Sequence, residues 1–466
     1  MLDDVFCTIN GFKVRPKADN GLWVLFLLPL SLIISSLRHP VVLTPTYKLS
    51  SLLSIGLILT SIVIVFHKRE DQKLKIINKW NMLILLLTIL FHIFLEKGLI
   101  FSIASGILST VVYIRTYVFI LKNFKNCFTL GEAGIVSQSL IILLYCTSIN
   151  ILNSIHTIYG SHMQISTLII QIRLLGIGII ASVAYFFHLR RTSSFYLLTC
   201  FVIIFVIILP LQILLNRNPL LWILNLVLTD LSTLKLVIYW SFCSGTAVLA
   251  VSNQIVYAKK ASTGMRKIFH LLAVAVYIPG LLYRCSFLYL ASGVMLGIFF
   301  LLEILRILNI PPLGRHLQDG FVVFSDEKDI GTLALTPIYL LVGCSLPIWI
   351  HPSPCDVTDS AMFNLLPLLS GLLSIGVGDT AASIIGSNYG KHFWPGSKKT
   401  VEGTVACILA QIGLVRLLMY FDALEYLSFG QNIRLYLAIL VGSIVEARTT
   451  QIDNLVLPLL MYIILI

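Results

Sequence analysis

Apolar residues run through this chain in long blocks and do not alternate with polar ones. The blocks fall near residues 21–37, 47–66, 81–95, 98–121, 134–152, 165–187, 194–215, 232–257, 268–283, 285–309, 331–350, 363–386, 404–421, 433–447 and 454–466. Most approach the roughly 20 residues that a helix needs to cross the hydrocarbon core of a bilayer. Barrel strands would show apolar and polar side chains in alternation over about ten residues. The pattern predicts an all-α polytopic membrane protein with about fifteen transmembrane helices, with residues 219–229 as part of a neighbouring span or a re-entrant piece. The first block opens at Gly21 and has no clear small-residue cleavage site behind it, so no removable signal peptide is predicted.

Composition narrows the class. Of 466 residues, 58% are hydrophobic and 12% charged, which is too little polar surface to coat soluble domains. The chain also lacks the polar, charged stretches that keep a polypeptide disordered. There are 33 Lys and Arg against 21 Asp and Glu, a formal charge of +12. The excess sits in loops: residues 67–79 with five basic and two acidic residues, Lys122 and Lys125, Arg190 and Arg191, Lys259, Lys260, Arg266 and Lys267, the mixed stretch Arg315 to Lys328, and Lys391, Lys398 and Lys399. Two spans separate each basic loop from the next, so all share one side, and the positive-inside rule makes that side cytoplasmic. The N-terminus then lies in the cytoplasm and, with fifteen spans, the C-terminus lies across the membrane. No basic stretch is interleaved with aromatics on a soluble domain, so nucleic-acid binding is not predicted. Nine cysteines from Cys7 to Cys407 form no CxxC pair and no zinc spacing. They read as small core residues of a reduced environment.

The chemistry is unevenly spread. Residues 1–257 are spans joined by plain loops, whereas from 258 to 466 the loops are long, polar and patterned. The densest segment is 378–404, GDTAASIIGSNYGKHFWPGSKKTVEGT. Asp379 follows an apolar run, and a carboxylate at a membrane boundary needs a cation partner. Gly378, Ala382 and Gly386 would form one small-residue helix face, open to close approach by a helix or a ligand; Asp379 and Ser383 share another. Beyond them come Gly390, Lys391, His392, Pro395, Gly396, Ser397, Lys398, Lys399, Thr400, Glu402, Gly403 and Thr404. Flexible backbone aims N–H groups at an anion and lysines add point charge, the chemistry of a polyphosphate site. Asp379 and Glu402 would supply oxygen ligands for Mg²⁺. A basic loop with glycine turns has the same composition, but the order of carboxylate, glycines, lysines, Thr and Glu within 27 residues favours phosphate. The segment is not a Walker A loop, because three residues separate its glycines and His follows the Lys; no protein-kinase motif set is present.

Four smaller groups stand out. Arg266, Lys267 and His270 in MRKIFH are either contacts to phosphate or headgroup, or ordinary interfacial basic residues. Glu303 lies in an apolar run with Arg306 one turn away, as a functional group or as the partner of that arginine. Asp326, Glu327, Lys328 and Asp329 suit a metal or a solvated loop. Glu446, Asp453 and Asn454 bracket a polar break on the same side as 378–404, and the last two alternatively cap a helix.

The runs FVVFSDEKDIGTLALTPIYLLVGCSLPIWI, GDTAASIIGSNYGKHFWPGSKKTVEGT and QIDNLVLP together resemble the dolichol kinases. MRKIFH and the Glu303 helix fit the wider group of CTP-dependent polyprenol, phytol and diacylglycerol kinases, which is similar to the phosphatidate cytidylyltransferases. The resemblance covers roughly 258–466; the first half matches only as a series of spans. It implies an endoplasmic reticulum membrane enzyme that moves the γ-phosphoryl of CTP to dolichol, with Mg²⁺ or another divalent cation. The products would be CDP and dolichyl phosphate, the lipid carrier for protein N-glycosylation and related mannosylation. It also implies a CTP segment at Gly390 to Thr404 facing the cytoplasm, with Asp379 and Asp453 serving metal or catalysis. Glu303, Arg266, Lys267 and His270 are its further candidates. Phosphoryl transfer asks mainly for positioning and charge neutralisation, which suits these residue types. A lipid cytidylyltransferase of the CDP-diacylglycerol synthase kind would use a similar loop, but the run at 324–350 argues against it. A secondary transporter would carry charges in mid-span and paired broken helices, whereas the ionisable groups here gather at one face. Oligomeric state is not legible in these motifs.

Overall fold

A segment crossing hydrocarbon must satisfy its own backbone hydrogen bonds. In the computed structural model, which describes residues 12–67, 76–156, 161–187, 189, 191–256, 263–324 and 331–466, the chain meets that demand with helices, and no strand forms among the described residues. The first half comprises α1 (Leu27–Arg38), α2 (Pro45–His67), α3 (Ile76–Leu95), α4 (Leu99–Ile107), α5 (Tyr113–Asn123), α6 (Leu130–His156), α7 (His162–Phe186), α8 (Thr192–Phe201), α9 (Leu209–Leu215), α10 (Pro219–Leu228) and α11 (Leu231–Val256). The second half comprises α12 (Thr263–Tyr283), α13 (Cys285–Ile307), α14 (Leu313–Phe324), α15 (Thr336–Ile350), α16 (Leu365–Leu368), α17 (Thr380–Tyr389), α18 (Val401–Tyr420), α19 (Phe429–Arg448) and α20 (Asp453–Leu465). Wider π-helical turns at Leu108–Val112 and Val202–Ile208 join α4 to α5 and α8 to α9, so each pair is one continuous span.

Nine described helices are long and apolar enough to cross a membrane, or ten when the pair Met362–Leu368 and Leu372–Tyr389, bent by 57°, counts as one span. Five shorter apolar helices of 10–17 residues accompany them, and the expected number of fifteen is not established on this measure. The shortfall has local causes. α19 carries Gln431, Asn432 and Arg434 at one end and Glu446 and Arg448 at the other, which dilutes its apolar character. α10 has 10 residues, about 15 Å of helix, and does not reach across. The stretch Arg315 to Lys328, read as a mixed loop, is helical to Phe324 and forms the amphipathic α14.

Two apolar cores matter for function. One gathers Leu28 and Leu32 of α1, Leu53 and Leu57 of α2, Tyr113 and Tyr117 of α5, and Leu455, Val456 and Tyr462 of α20. The other gathers Leu281, Leu288, Leu368, Leu372, Leu418, Leu435 and Met461 from α12 to α20. α20 therefore stands between the first-half spans and the patterned second half; Ser35 and Tyr462 hydroxyls meet at 2.8 Å across that seam.

The second-half helices run up and down, so their ends sort onto two rims. Lys267, Glu303, Asp379, the loop 390–400, Glu446 and Asp453 share one rim. The opposite rim holds Arg284, which pairs with Asp230 at 2.6 Å, and a disulfide between Cys285 and Cys355, whose Cα atoms are 5.5 Å apart. That disulfide corrects the reading of all cysteines as reduced core residues; the partners are 70 positions apart, and no spacing rule links them. The basic segment at 68–75, Arg190, Lys259, Lys260, and the acidic group Asp326, Glu327, Lys328 and Asp329 lie outside the described residues.

Candidate active site

Asp379 ends a π-helical stretch, Leu372–Asp379, immediately before α17. Widened turns of this kind shift side chains out of the regular register and recur at functional sites. The residue is 2% exposed, and its charge is met from α12. Lys267 Nζ donates to Asp379 Oδ2, and His270 Nε2 lies 3.6 Å from the same oxygen. Ser383 Oγ donates to Oδ1 at 3.3 Å, as their shared helix face requires. Lys267 and His270 are three residues apart and so project from one side of α12. Arg266 lies beside them, and its carbonyl is 3.2 Å from His270 Nδ1.

The small-residue face Gly378–Ala382–Gly386 receives a helix. A Cβ added at Gly403 of α18 would stand 2.8 Å from the Ala382 carbonyl oxygen, and one at Gly378 would stand 3.0 Å from Cys407 Sγ. This close packing brings the start of α18, and the loop that precedes it, against α17.

That loop is a closed hairpin. Phe393 and Thr400 form an antiparallel bridge, Trp394 N donates to Lys399 O at 2.9 Å, and Val401 N donates to His392 O at 2.8 Å. At its tip Ser397 N returns to Trp394 O at 3.0 Å, with Pro395 and Gly396 between them. Gly396 has φ +73°, the left-handed value that glycine takes at the third position of a type II turn. Thr400 caps α18 by accepting from Gly403 N at 3.2 Å, and Trp394 Nε1 donates to Thr404 Oγ1 at 2.9 Å. His392 Nδ1 lies 2.6 Å from Glu402 Oε1, and both carboxylate oxygens accept the His392 N–H at 3.2 Å. Much of the hairpin's N–H complement is thus used internally, leaving charge at the rim to side chains. Lys391 and Lys398 are exposed.

Lys399 turns inward and donates to Glu446, a carboxylate with 2% side-chain exposure near the end of α19. Ser397 Oγ donates to Ala447 O at 3.1 Å, and the Arg448 guanidinium stands 5.4 Å from the centre of the Trp394 ring. Burial alone would lower the proton affinity of Lys399; the carboxylates of Glu446, Asp379 and Asp453 outweigh it and hold its pKa above the ordinary value. Three acids from three elements thus act on one ammonium. Asp453 begins α20, with Ile452 at the cap position, and accepts the adjacent Asn454 N–H at 3.0 Å.

The candidates therefore divide. Lys267 and His270 meet Asp379, Lys399 meets Glu446, and the charges of Asp379 and Asp453 reach Lys399 and link the two pairs. Glu402 serves the other side of the hairpin through His392. Glu303 forms a two-pronged pair with Arg306 at 2.7 and 2.9 Å and accepts Ala334 N at 2.7 Å, which ties α13 to the segment leading into α15. Arg306 also donates to Thr332 O and Gln318 at 2.6 Å each. Among the described residues no three His, Cys, Asp or Glu side chains are grouped as a ready-made metal site. Arg448 and Trp394 carried no signal beyond ordinary loop composition, and the polar residues behind the 449–452 turn carried none at all.

A family model described as "Dolichol kinase" matches residues 103–392. A dolichol kinase of Mus musculus is 38% identical over 375 residues, covering 76% of this chain and 68% of the relative. The Homo sapiens dolichol kinase gives the same figures. "Dolichol kinase EVAN" of Arabidopsis thaliana is 31% identical over 379 residues, covering 74% of this chain and 65% of the relative. No solved structure matches.

Proposed function

The chain belongs to the dolichol kinase family, and from that premise we propose that it moves the γ-phosphoryl group of CTP to the terminal hydroxyl of dolichol at the cytoplasmic face of the endoplasmic reticulum. The observation that carries the site assignment is the meeting of two cation–carboxylate pairs, Lys267–Asp379 and Lys399–Glu446, with Asp453 beside them.

Charge supports the assignment. Two lysines, Lys267 and Lys399, stand among three carboxylates, Asp379, Glu446 and Asp453. A triphosphate held there needs further positive charge, which Lys398, Lys391 and a divalent cation would bring. The donors on hand are hard oxygens, and Mg²⁺ binds through one or two carboxylates plus the phosphates. Asp379 and Asp453 would hold it, while Glu402 orders the hairpin through His392. When bound, the cation would neutralise charge on the phosphate oxygens. Lys399, anchored by Glu446, directs an ammonium at the transferring group, and such preorganised charge is a main source of rate in phosphoryl transfer. Asp379 receives the hydroxyl proton of dolichol, and Lys267 holds its charged form in place until then. The nucleotide lies along the hairpin Gly390 to Thr404.

The lipid needs a dry route to this rim. Ile268 and Leu271, neighbours of Lys267 and His270 on α12, are 46% and 48% exposed, and on a membrane face they offer an apolar approach to Asp379. The disulfide on the opposite rim supports the orientation, because disulfides persist in the oxidising lumen and are rare in the cytosol.

Purified protein in nanodiscs containing dolichol, with Mg²⁺ and each of the four γ-labelled nucleoside triphosphates in turn, tests the reading. Label enters the lipid with CTP. Label released as pyrophosphate would indicate cytidylyl transfer and overturn the reaction; equal labelling from ATP would overturn the donor.

A further inference from the structure

The turn 449–452 joins α19, which carries Glu446, to α20, which begins with Asp453. Its shape therefore sets how two of the carboxylates stand around Lys399. Gln451 N donates to Thr449 Oγ1 at 3.2 Å within the turn, but other polar groups of the turn are met from far away in sequence. Thr450 O accepts from Arg15 Nη2 at 3.0 Å, and Ile452 N donates to Glu132 Oε1 at 2.8 Å. Arg15 Nη2 and Glu132 Oε1 are themselves 2.6 Å apart, with side-chain exposures of 3% and 0%. Between these two anchors Gln451 is fully buried: Thr129 Oγ1 donates to its Oε1 at 2.5 Å, and its Nε2 donates to Asp19 O at 3.0 Å and to the Asp19 carboxylate. Thr129 N also donates to Glu132 Oε2 at 2.9 Å, which fixes the carboxylate that holds Ile452. Each of these distant partners comes from the segment before the first span or from the start of α6, as far as 435 positions away in sequence.

We propose that Arg15 and Glu132 are positioning residues for phosphoryl transfer: this buried pair grips the backbone on both sides of Gln451 and so fixes Glu446 and Asp453 relative to Lys399. A buried ion pair is a poor device for stability alone, since an apolar pair of similar volume does as well or better. What a charged pair adds is direction, and here the direction is onto one carbonyl and one N–H of a four-residue turn. The N-terminal region thus gains a part in the reaction without touching the substrate. The inference rests on the reading that Glu446 and Asp453 belong to the active site.

The test uses full-length protein in dolichol nanodiscs, with kcat, both KM values and thermal unfolding measured for four variants. The double variant Arg15→Met with Glu132→Met removes both charges together and leaves no orphaned ion. It takes these partners from Thr129 N, Ile452 N and the Thr450 carbonyl, so it should melt below wild type, and per folded molecule it should lose about 10- to 100-fold in kcat, the scale of a small misplacement of reacting groups, with the KM for dolichol unchanged. Arg15→Lys keeps the charge and, through its single ammonium, can replace the two contacts that Arg15 Nη2 makes, and should stay within about threefold of wild type. Thr129→Val frees Gln451 without touching a charge and should lower kcat about three- to tenfold. A folded double variant with wild-type kcat overturns the proposal; if that variant does not fold, wild-type kcat in Thr129→Val overturns it. Asp453→Asn with wild-type kcat would instead overturn the site assignment beneath it.

Discussion

Replacing Glu446 with glutamine keeps the shape and removes the charge that anchors Lys399. Losing one partner of a fully buried ion pair costs about 3–5 kcal/mol, because the survivor is left without solvent. Lys399 retains 40% of its side-chain exposure, so it rehydrates, and the loss of stability should fall near the surface-pair limit of about 1 kcal/mol. The variant therefore folds. Its rate is another matter. Removing one preorganised donor from a transition state costs about 2.7–4 kcal/mol. Here the ammonium remains but is no longer aimed, so about half of that is lost, roughly 10- to 30-fold in kcat. The pH profile gives a second reading. Burial lowers the proton affinity of Lys399, and Glu446, Asp379 and Asp453 raise it to a net value above the unfolded one near 10.4. A group with a raised folded pKa contributes stability in full below its unfolded pKa and loses it as pH climbs through the folded pKa, so the contribution of Lys399 is undiminished up to about pH 9. In the glutamine variant the strongest raising influence is gone, and the alkaline limb of kcat moves to lower pH. Initial rates of label transfer from pH 6 to 10, with unfolding measured at each pH, decide the matter. Wild-type kcat together with an unmoved alkaline limb would refute the role assigned to this pair.

Asp379→Asn should reduce the rate by about 10³-fold or more while membrane insertion is kept, measured by label transfer; Lys267, at 12% exposure, loses its partner, so a melt of the purified protein should show a lower unfolding temperature. Ser397→Cys in sealed microsomes should react with an impermeant thiol reagent from the cytoplasmic side. Val357→Cys, exposed two residues beyond Cys355, should react only after the lumen is opened. Replacing Cys285 and Cys355 together by serine should cost about 2–4 kcal/mol of stability, seen as a lower melting temperature, with kcat at 25 °C unchanged because the bridge lies on the far rim.

The helical membrane architecture was legible because hydrocarbon leaves the backbone few choices, and a continuous apolar block shows directly in the residue order. Asp379 was legible for the same reason: a carboxylate closing an apolar run must be paired. Its partner, Lys267, lies 112 positions away and was visible only as one basic residue among several. Arg15, Glu132 and Gln451 gave no signal, since short-range patterns do not report contacts made across 117 or 320 positions. Glu303 shows the converse. The sequence placed a charge in an apolar run, and the structure supplies a local partner in Arg306 and a backbone N–H at Ala334. The fifteen-span expectation weakened where helices were short, or where polar residues intruded at their ends, as in α10 and α19.

The central claim is that Lys267–Asp379 and Lys399–Glu446, with Asp453, enclose one triphosphate at one rim of the bundle. Cryo-electron microscopy of the protein in a dolichol nanodisc with Mg²⁺ and a non-hydrolysable CTP analogue tests it most directly. The account predicts terminal phosphate density in contact with Lys399, with Asp379 and Asp453 on the metal. Density for the nucleotide on the Arg284–Cys355 rim, or beside Glu303 with the Lys399–Glu446 pair untouched, would contradict it.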